Sequence, residues 1–205
     1  MMTTELYDAL FKDTKIVAYA RFNKARRLSK RTWWSLFSIS SLSIVLILLS
    51  IFEKTSNVSS VQPFFIEDIY VPNWIFTVTT SLITLVLSIT LSSARLDVEV
   101  EKLNDSAIRI NKISRSIEAK KNSLSKTDYE KSLQEYNDVI SDNRVNHDKV
   151  DYVIAKNNIN KSCSFEYFYQ KNIYQHLELV HYYIIAAMSL SAAISILHKV
   201  ITTTC

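Results

Sequence analysis

The chain's obvious general bases are its four histidines, His147, His176, His181 and His198. His147 precedes Asp148 directly and Asp151 by four residues, so on a helix Asp151 would lie one turn away. A His–Asp pair can move a proton, but no nucleophile or metal-ligand set accompanies this one in sequence. The expected role of these residues is instead a polar cluster that caps or orients a helix. His176 and His181, five apart, do not share a helix face well enough to hold a metal. Cys163 and Cys205 have no Cys or His neighbour at ligand spacing and read as lone side chains rather than a disulfide or a zinc site. There is no glycine anywhere, which excludes phosphate-cradling loops, dinucleotide fingerprints and nucleophile elbows. The expectation is no catalytic residue, no metal and no cofactor, hence no enzyme and no small-molecule substrate.

A second set of polar residues is more informative because of where it lies. Thr77, Thr80, Ser81, Thr84, Ser88 and Ser92 sit inside an apolar run. At 100° per residue they fall within an arc of about 120° on one helix. Two readings stand. Ser and Thr are small, bond their own backbone carbonyls and suit close helix–helix packing in a membrane. The same hydroxyl stripe could also wet the wall of an oligomeric pore. The serines of the preceding apolar run (Ser35, Ser38, Ser40, Ser41, Ser43, Ser50) scatter round the wheel and do not decide between them.

The elements that must carry this stripe are two uncharged runs, Trp33 to Phe52 and Trp74 to Ala94, of 20 and 21 residues. At about 1.5 Å per residue each can cross a hydrocarbon core of roughly 30 Å. A soluble helix of that length would show a charged face, and neither run has one. The spacing predicts a transmembrane helical hairpin. The only prolines, Pro63 and Pro72, fall between the two runs. The absence of glycine likewise favours long helices with few tight turns.

Charge distribution orients the hairpin. Residues 1–32 carry eight Lys/Arg against three acids, whereas residues 95–176 carry fourteen against thirteen. The linker from Glu53 to Asn73 holds one Lys and three acids, Glu53, Glu67 and Asp68. The positive-inside rule then places the N-terminus and residues from Arg95 onward in the cytoplasm, with the linker outside. Arg26, Arg27, Lys30 and Arg31 are the expected headgroup anchors, with Trp33, Trp34 and Trp74 as the interfacial aromatics. A basic excess gathered at one span fits membrane lipids as partner better than nucleic acid.

Four segments result. Residues 1–32 form a basic amphipathic cytoplasmic segment, and residues 33–94 the hairpin, with spans at 33–52 and 74–94. Residues 95–176 are a cytoplasmic helical region, and 177–205 a C-terminal apolar helix. With no breaker between Ala94 and Lys120, the second span is expected to continue as one rod. Its seam is Leu96, Val100, Leu103, Ala107, Ile110, Ile113 or Ser114, Ile117 and Leu124, facing either this chain or a neighbouring copy. Thr127 with Glu130 reads as a capping box opening a helix whose apolar face is Tyr129, Leu133, Tyr136 and Ile140. The run Tyr182 to Leu197 is 16 residues, short for a span but rich in Ala and Ser suited to close packing. It is either a third membrane helix or a buried helix of the cytoplasmic bundle. The fold class is an all-α membrane protein: a transmembrane hairpin with a cytoplasmic helical bundle.

The basic run RFNKARRLSKRTWW, the hairpin, the charged helix behind it and the spacing Tyr136…His147…Asp151-Tyr152 together resemble the SLATT family. These are bacterial two-transmembrane effector domains found beside nucleotide-second-messenger and reverse-transcriptase defence modules. The C-terminal aromatic and apolar segment is similar to the branch associated with retron-type reverse transcriptases. The resemblance implies an effector of abortive anti-phage defence in the bacterial inner membrane, whose hairpins form a homo-oligomer when triggered and permeabilise the bilayer. It also implies a restraining partner, either a reverse transcriptase with its RNA–DNA product or a second-messenger system. Tyr136, His147, Asp151 and Tyr152 would be the family's polar cluster. The alternative is a membrane-tethered binding or scaffold module whose hairpin is only an anchor.

Overall fold

The computed structural model describes residues 2–56, 60–61, 70–120, 125–142 and 145–204. Leu124, Pro63, Glu67, Asp68 and Cys205, invoked above, lie outside them. The chain forms two units. A polar unit combines Met1–Lys30 with Leu96–Leu177, and an apolar unit combines Arg31–Arg95 with Glu178–Cys205.

The first helix, α1 (Met2–Ser56), contributes residues to both units without a break. No Gly or Pro interrupts it, and its residues change from charged to apolar while the backbone stays helical. In the polar unit it is joined by α3 (Leu96–Ala119), α4 (Lys126–Asp142) and α5 (Lys149–Asn160). Next come α6 (Phe165–Tyr169), a π-helical turn at Gln170–Tyr174 and α7 (Gln175–Leu177). The α3 seam is buried at Leu96, Leu103, Ala107, Ile110, Ile113, Ser114 and Ile117. Its partner is this same chain: Ile110, Ile113 and Ile117 pack with Tyr7, Leu10 and Ala18 of α1 and Val139 of α4. Tyr129, Leu133 and Tyr136 pack against that core, whereas Ile140 is exposed and Val139 takes the buried position.

Two local expectations are corrected. The cap of α4 lies two residues earlier than Thr127–Glu130. Ser125 Oγ accepts from the Asp128 backbone N–H at 3.3 Å, and the Asp128 carboxylate accepts from Ser125 N at 3.2 Å. Ser125 with Asp128 makes the same reciprocal box with a shorter acid. The expected rod from α2 (Asn73–Ala94) into α3 is also broken. Arg95 adopts φ 43°, ψ 39°, the left-handed conformation that commonly closes a helix. Residue types gave no sign of it, because a non-Gly residue costs about 1–2 kcal/mol there.

The apolar unit holds the lower part of α1, α2 and α8 (Val180–Thr204), with a two-residue antiparallel pairing of Ser60–Val61 with Val71–Pro72 in the linker. Among the described residues, three helical stretches are long and apolar enough to cross a membrane, within Glu5–Lys54, Asn73–Ala119 and Val180–His198. The C-terminal run is therefore long enough once the helix is counted from Val180 rather than Tyr182. Val45, Leu49 and Phe52 of α1 bury against Ala192 and Ile196 of α8.

Arg95 offers a direct check of the break. Arg95→Gly should raise the unfolding midpoint in detergent by the equivalent of about 1 kcal/mol, since Gly occupies positive φ without penalty. Arg95→Val should lower it by at least as much. Thermal melts by circular dichroism measure both; equal midpoints would show that residue 95 is not left-handed.

Candidate functional site

His147, Asp148 and Asp151 lie where α1 meets the start of α5. Three basic residues on α1, Arg21, Lys24 and Arg27, are spaced by three and fall within about 120° of its circumference. Opposite them the chain leaves α4, passes Asn146, His147 and Asp148, and enters α5 with Asp151 and Tyr152. Ile16 and Ala20 of α1 pack on Ala155, with Tyr152 and Ile159 alongside, so an apolar strip flanks the charged one.

Asp151 has no solvent exposure. Arg27 reaches it with two nitrogens, Nη2 to Oδ2 at 2.9 Å and Nε to Oδ1 at 3.4 Å. The same guanidinium bonds Asp148. Lys24 Nζ adds Asp148 at 3.3 Å, the Asn146 carbonyl at 2.9 Å and Glu99 of α3 at 3.1 Å. Asn23 Nδ2 donates to the Asp151 carbonyl at 3.4 Å. Burial pushes the Asp151 carboxyl above its ordinary range, and the Arg27 bonds oppose that. Burial acts upward on Asp148 too, but the bonds and charges of Arg27 and Lys24 outweigh it and hold that carboxyl below the usual range.

His147 does not bond Asp151. Its ring stacks on Tyr152 with centroids 5.5 Å apart and planes 17° from parallel, and its buried Nδ1 meets no partner among the described residues. Burial lowers its pKa first, and the Arg21 charge lowers it further. The proton-transfer pair considered from sequence is therefore not assembled: the acid belongs to Arg27, and the imidazole stacks on a tyrosine. Tyr136 of α4 also feels the Arg21 charge, although burial and Asp13 push its phenol upward overall. Among the described residues no group of three or more His, Cys, Asp or Glu is placed to hold a metal ion.

Of the residues expected at the membrane surface, Arg26, Lys30 and Arg31 are exposed, as are Trp33 and Trp74. Arg27 is not available to headgroups, because it is committed to Asp148 and Asp151. Trp34 is half-buried and meets Tyr183 edge-on at 4.5 Å. Within the hydroxyl stripe Thr80 is buried, Thr77, Thr84 and Ser88 are half-buried, and Ser81 and Ser92 are exposed. Thr84 Oγ1 donates to the Thr80 carbonyl and Ser88 Oγ to the Thr84 carbonyl, each at 2.8 Å. The first span's serines are more ordered than their wheel suggested. Ser35, Ser38 and Ser41 are buried, Ser38 Oγ bonds the Tyr182 carbonyl at 3.1 Å, and Ser189 Oγ bonds Ser41 Oγ at 2.7 Å. Sequence reasoning passed over Arg21 and Lys24 as members of the cluster. The available signal was their spacing by three with Arg27, which sets all three on one face of α1.

The fold and its polar site define an all-α membrane protein with a charged helical unit. The chain belongs to the SMODS and SLOG-associating 2TM effector domain family 5, whose model matches residues 4–202. No curated protein and no solved structure matches it.

Two predictions follow from the cluster's geometry. Arg27→Met strands a buried carboxylate and should destabilise the protein by about 3–5 kcal/mol, whereas Arg27→Met combined with Asp151→Leu should recover most of that loss. Denaturation of both variants measures it. His147, whose pKa falls below 6.5 on folding, favours the folded state when neutral. Its contribution is present above that value and is lost as pH falls through and below it. His147→Phe should flatten the decline of the thermal midpoint just below pH 6.5, and an unchanged pH profile would contradict its burial.

Proposed function

We propose that the protein is a membrane-disrupting effector of a bacterial anti-phage, abortive-infection defence system. It acts in the inner membrane with its N-terminus in the cytoplasm, where the basic residues of α1 belong under the positive-inside rule. Its active form is a homo-oligomer. Before triggering, a partner restrains it, and the C-terminal resemblance favours a retron-type reverse transcriptase with its RNA–DNA product.

One observation carries the reading: almost none of the most apolar stretch of α2 is buried within the protein, and this helix bears the hydroxyl stripe. An apolar cavity of about 300 Å³ also lies among Val45 of α1, Phe76 and Thr80 of α2 and Ala192 of α8. Helices in lipid associate through close packing and hydroxyl contacts, not through a hydrophobic drive. A loosely held helix with small polar residues can therefore exchange its contacts within one copy for contacts with other copies. Membership of a two-transmembrane effector family supports the same conclusion.

The direct test is dye release from liposomes by purified protein, with oligomers verified by cross-linking. Release is expected on oligomer formation, and intact vesicles in the presence of proven oligomers would overturn the proposal. Thr84→Leu with Ser88→Leu should cut release at least tenfold without preventing insertion. Replacing the spans with unrelated poly-leucine helices should abolish protection; retained protection would instead favour the tethered-scaffold alternative.

A further inference from the structure

Arg21 is a feature of the polar unit that the contacts above do not explain. Only 1% of its surface is exposed, yet Nε and Nη1 meet no acceptor. A buried guanidinium remains charged, and an unpaired buried charge is among the most unfavourable groups a fold can hold. The carboxylates of the cluster are already committed, Asp151 to Arg27 and Asp148 to Arg27 and Lys24. A methionine would fill the position without desolvating any charge. The strip beside it is apolar, with Ile16 and Ala20 of α1 on Ala155.

Three further observations gather at the same place. His147 brings a second buried nitrogen without a partner, Nδ1. Tyr136 packs against the core that includes Ala18, and His147 stacks on Tyr152, which packs beside Ala20, so both lie along the stretch of α1 that carries Arg21, whose charge acts on each. α5 also begins there, and its N-cap, Asp148, makes no side-chain capping bond because its carboxylate is held by Lys24 and Arg27.

We infer that Arg21, His147 and Tyr136 form a binding site for a phosphate oxyanion, set between α1, α4 and the start of α5. Phosphate fits better than carboxylate because it offers three or more acceptor oxygens to a set of up to four donors: Arg21 Nε and Nη1, the Tyr136 hydroxyl and the His147 Nδ1–H tautomer. Burial of Arg21 restricts the ligand to a small phosphate, or to one phosphate of a larger molecule. The chemistry is the same for a free phosphorylated compound and for an anionic lipid headgroup. This inference does not depend on whether the spans disrupt a bilayer.

The test uses the full chain in neutral detergent micelles, with inorganic phosphate as one probe against chloride of equal ionic strength. Micelles doped with phosphatidylglycerol, against phosphatidylcholine, are the other. At saturation the productive probe should raise the thermal midpoint by roughly 5 °C. Arg21→Met should raise the midpoint without any probe and abolish the increment from either. A response to inorganic phosphate identifies a free ligand, and one confined to phosphatidylglycerol identifies the headgroup. No increment from either probe, or an increment that survives in Arg21→Met, overturns the site. Should Arg21→Met fail to fold, calorimetry on Arg21→Lys decides: affinity at least tenfold weaker supports the site, and unchanged affinity overturns it.

Discussion

Asp151 is fully buried, and a carboxylate in that position is tolerable only while Arg27 meets it. That requirement organises the polar unit. Satisfying it with two guanidinium nitrogens fixes the register of α5 along α1. The fixed register in turn brings Asn23 to the Asp151 carbonyl, Lys24 to Asn146 and Asp148, and Ile16 and Ala20 onto Ala155. Lys24 then extends the network to Glu99 of α3. A buried ion pair of this kind adds little net stability compared with an apolar pair of equal volume. Its effect here is selective: any other register leaves Asp151 buried and alone, which costs several kcal/mol.

The apolar unit solves its packing without a single ion pair among the described residues of its spans. Ser38, Ser41 and Ser189 link α1 to α8 through hydroxyls, and Ala186 and Ala192 are buried along α8. Such bonds average only about 0.6 kcal/mol in membranes, so close backbone approach carries most of the association. α2 lacks both devices over most of its length: Thr84 and Ser88 satisfy their hydroxyls on their own helix and reach no other. One pair of helices is therefore knit together, while the third turns the Thr84, Ser88 and Thr90 hydroxyls onto its own backbone and leaves its apolar surface open.

The helices were legible because their signals are strong. Uncharged runs of 20 and 21 residues, a three-and-four seam and the lack of glycine each point the same way. The composition of Tyr182 to Leu197 already suited close helix contact, and Ser189 and Ala192 make it. The polar cluster was half legible. Tyr136, His147, Asp151 and Tyr152 lie together, but pairing His147 with Asp151 followed from helical spacing alone. What that missed is tertiary: Arg27 comes from 124 residues away and takes the acid. The same long-range pairing removed Arg27 from the membrane face, where local charge counting had put it. Arg95 illustrates a different limit, since a left-handed residue in a chain without glycine leaves no compositional mark.

That last point has a physical resolution. The described residues with positive φ are Arg95 and Lys161, and both close the C-terminus of a helix. Gly would hold this conformation without strain, whereas Arg or Lys costs about 1–2 kcal/mol. A cation at a helix C-terminus recovers about 0.3–1 kcal/mol from the negative end of the dipole. Lys161 recovers more through its backbone N–H, which reaches the Asn157 and Asn158 carbonyls that the helix leaves over. Long cationic side chains thus take the place of glycine caps while offsetting part of the strain. At Arg95 the same residue marks the end of an uncharged span, so one side chain meets the demands of backbone, dipole and membrane boundary together.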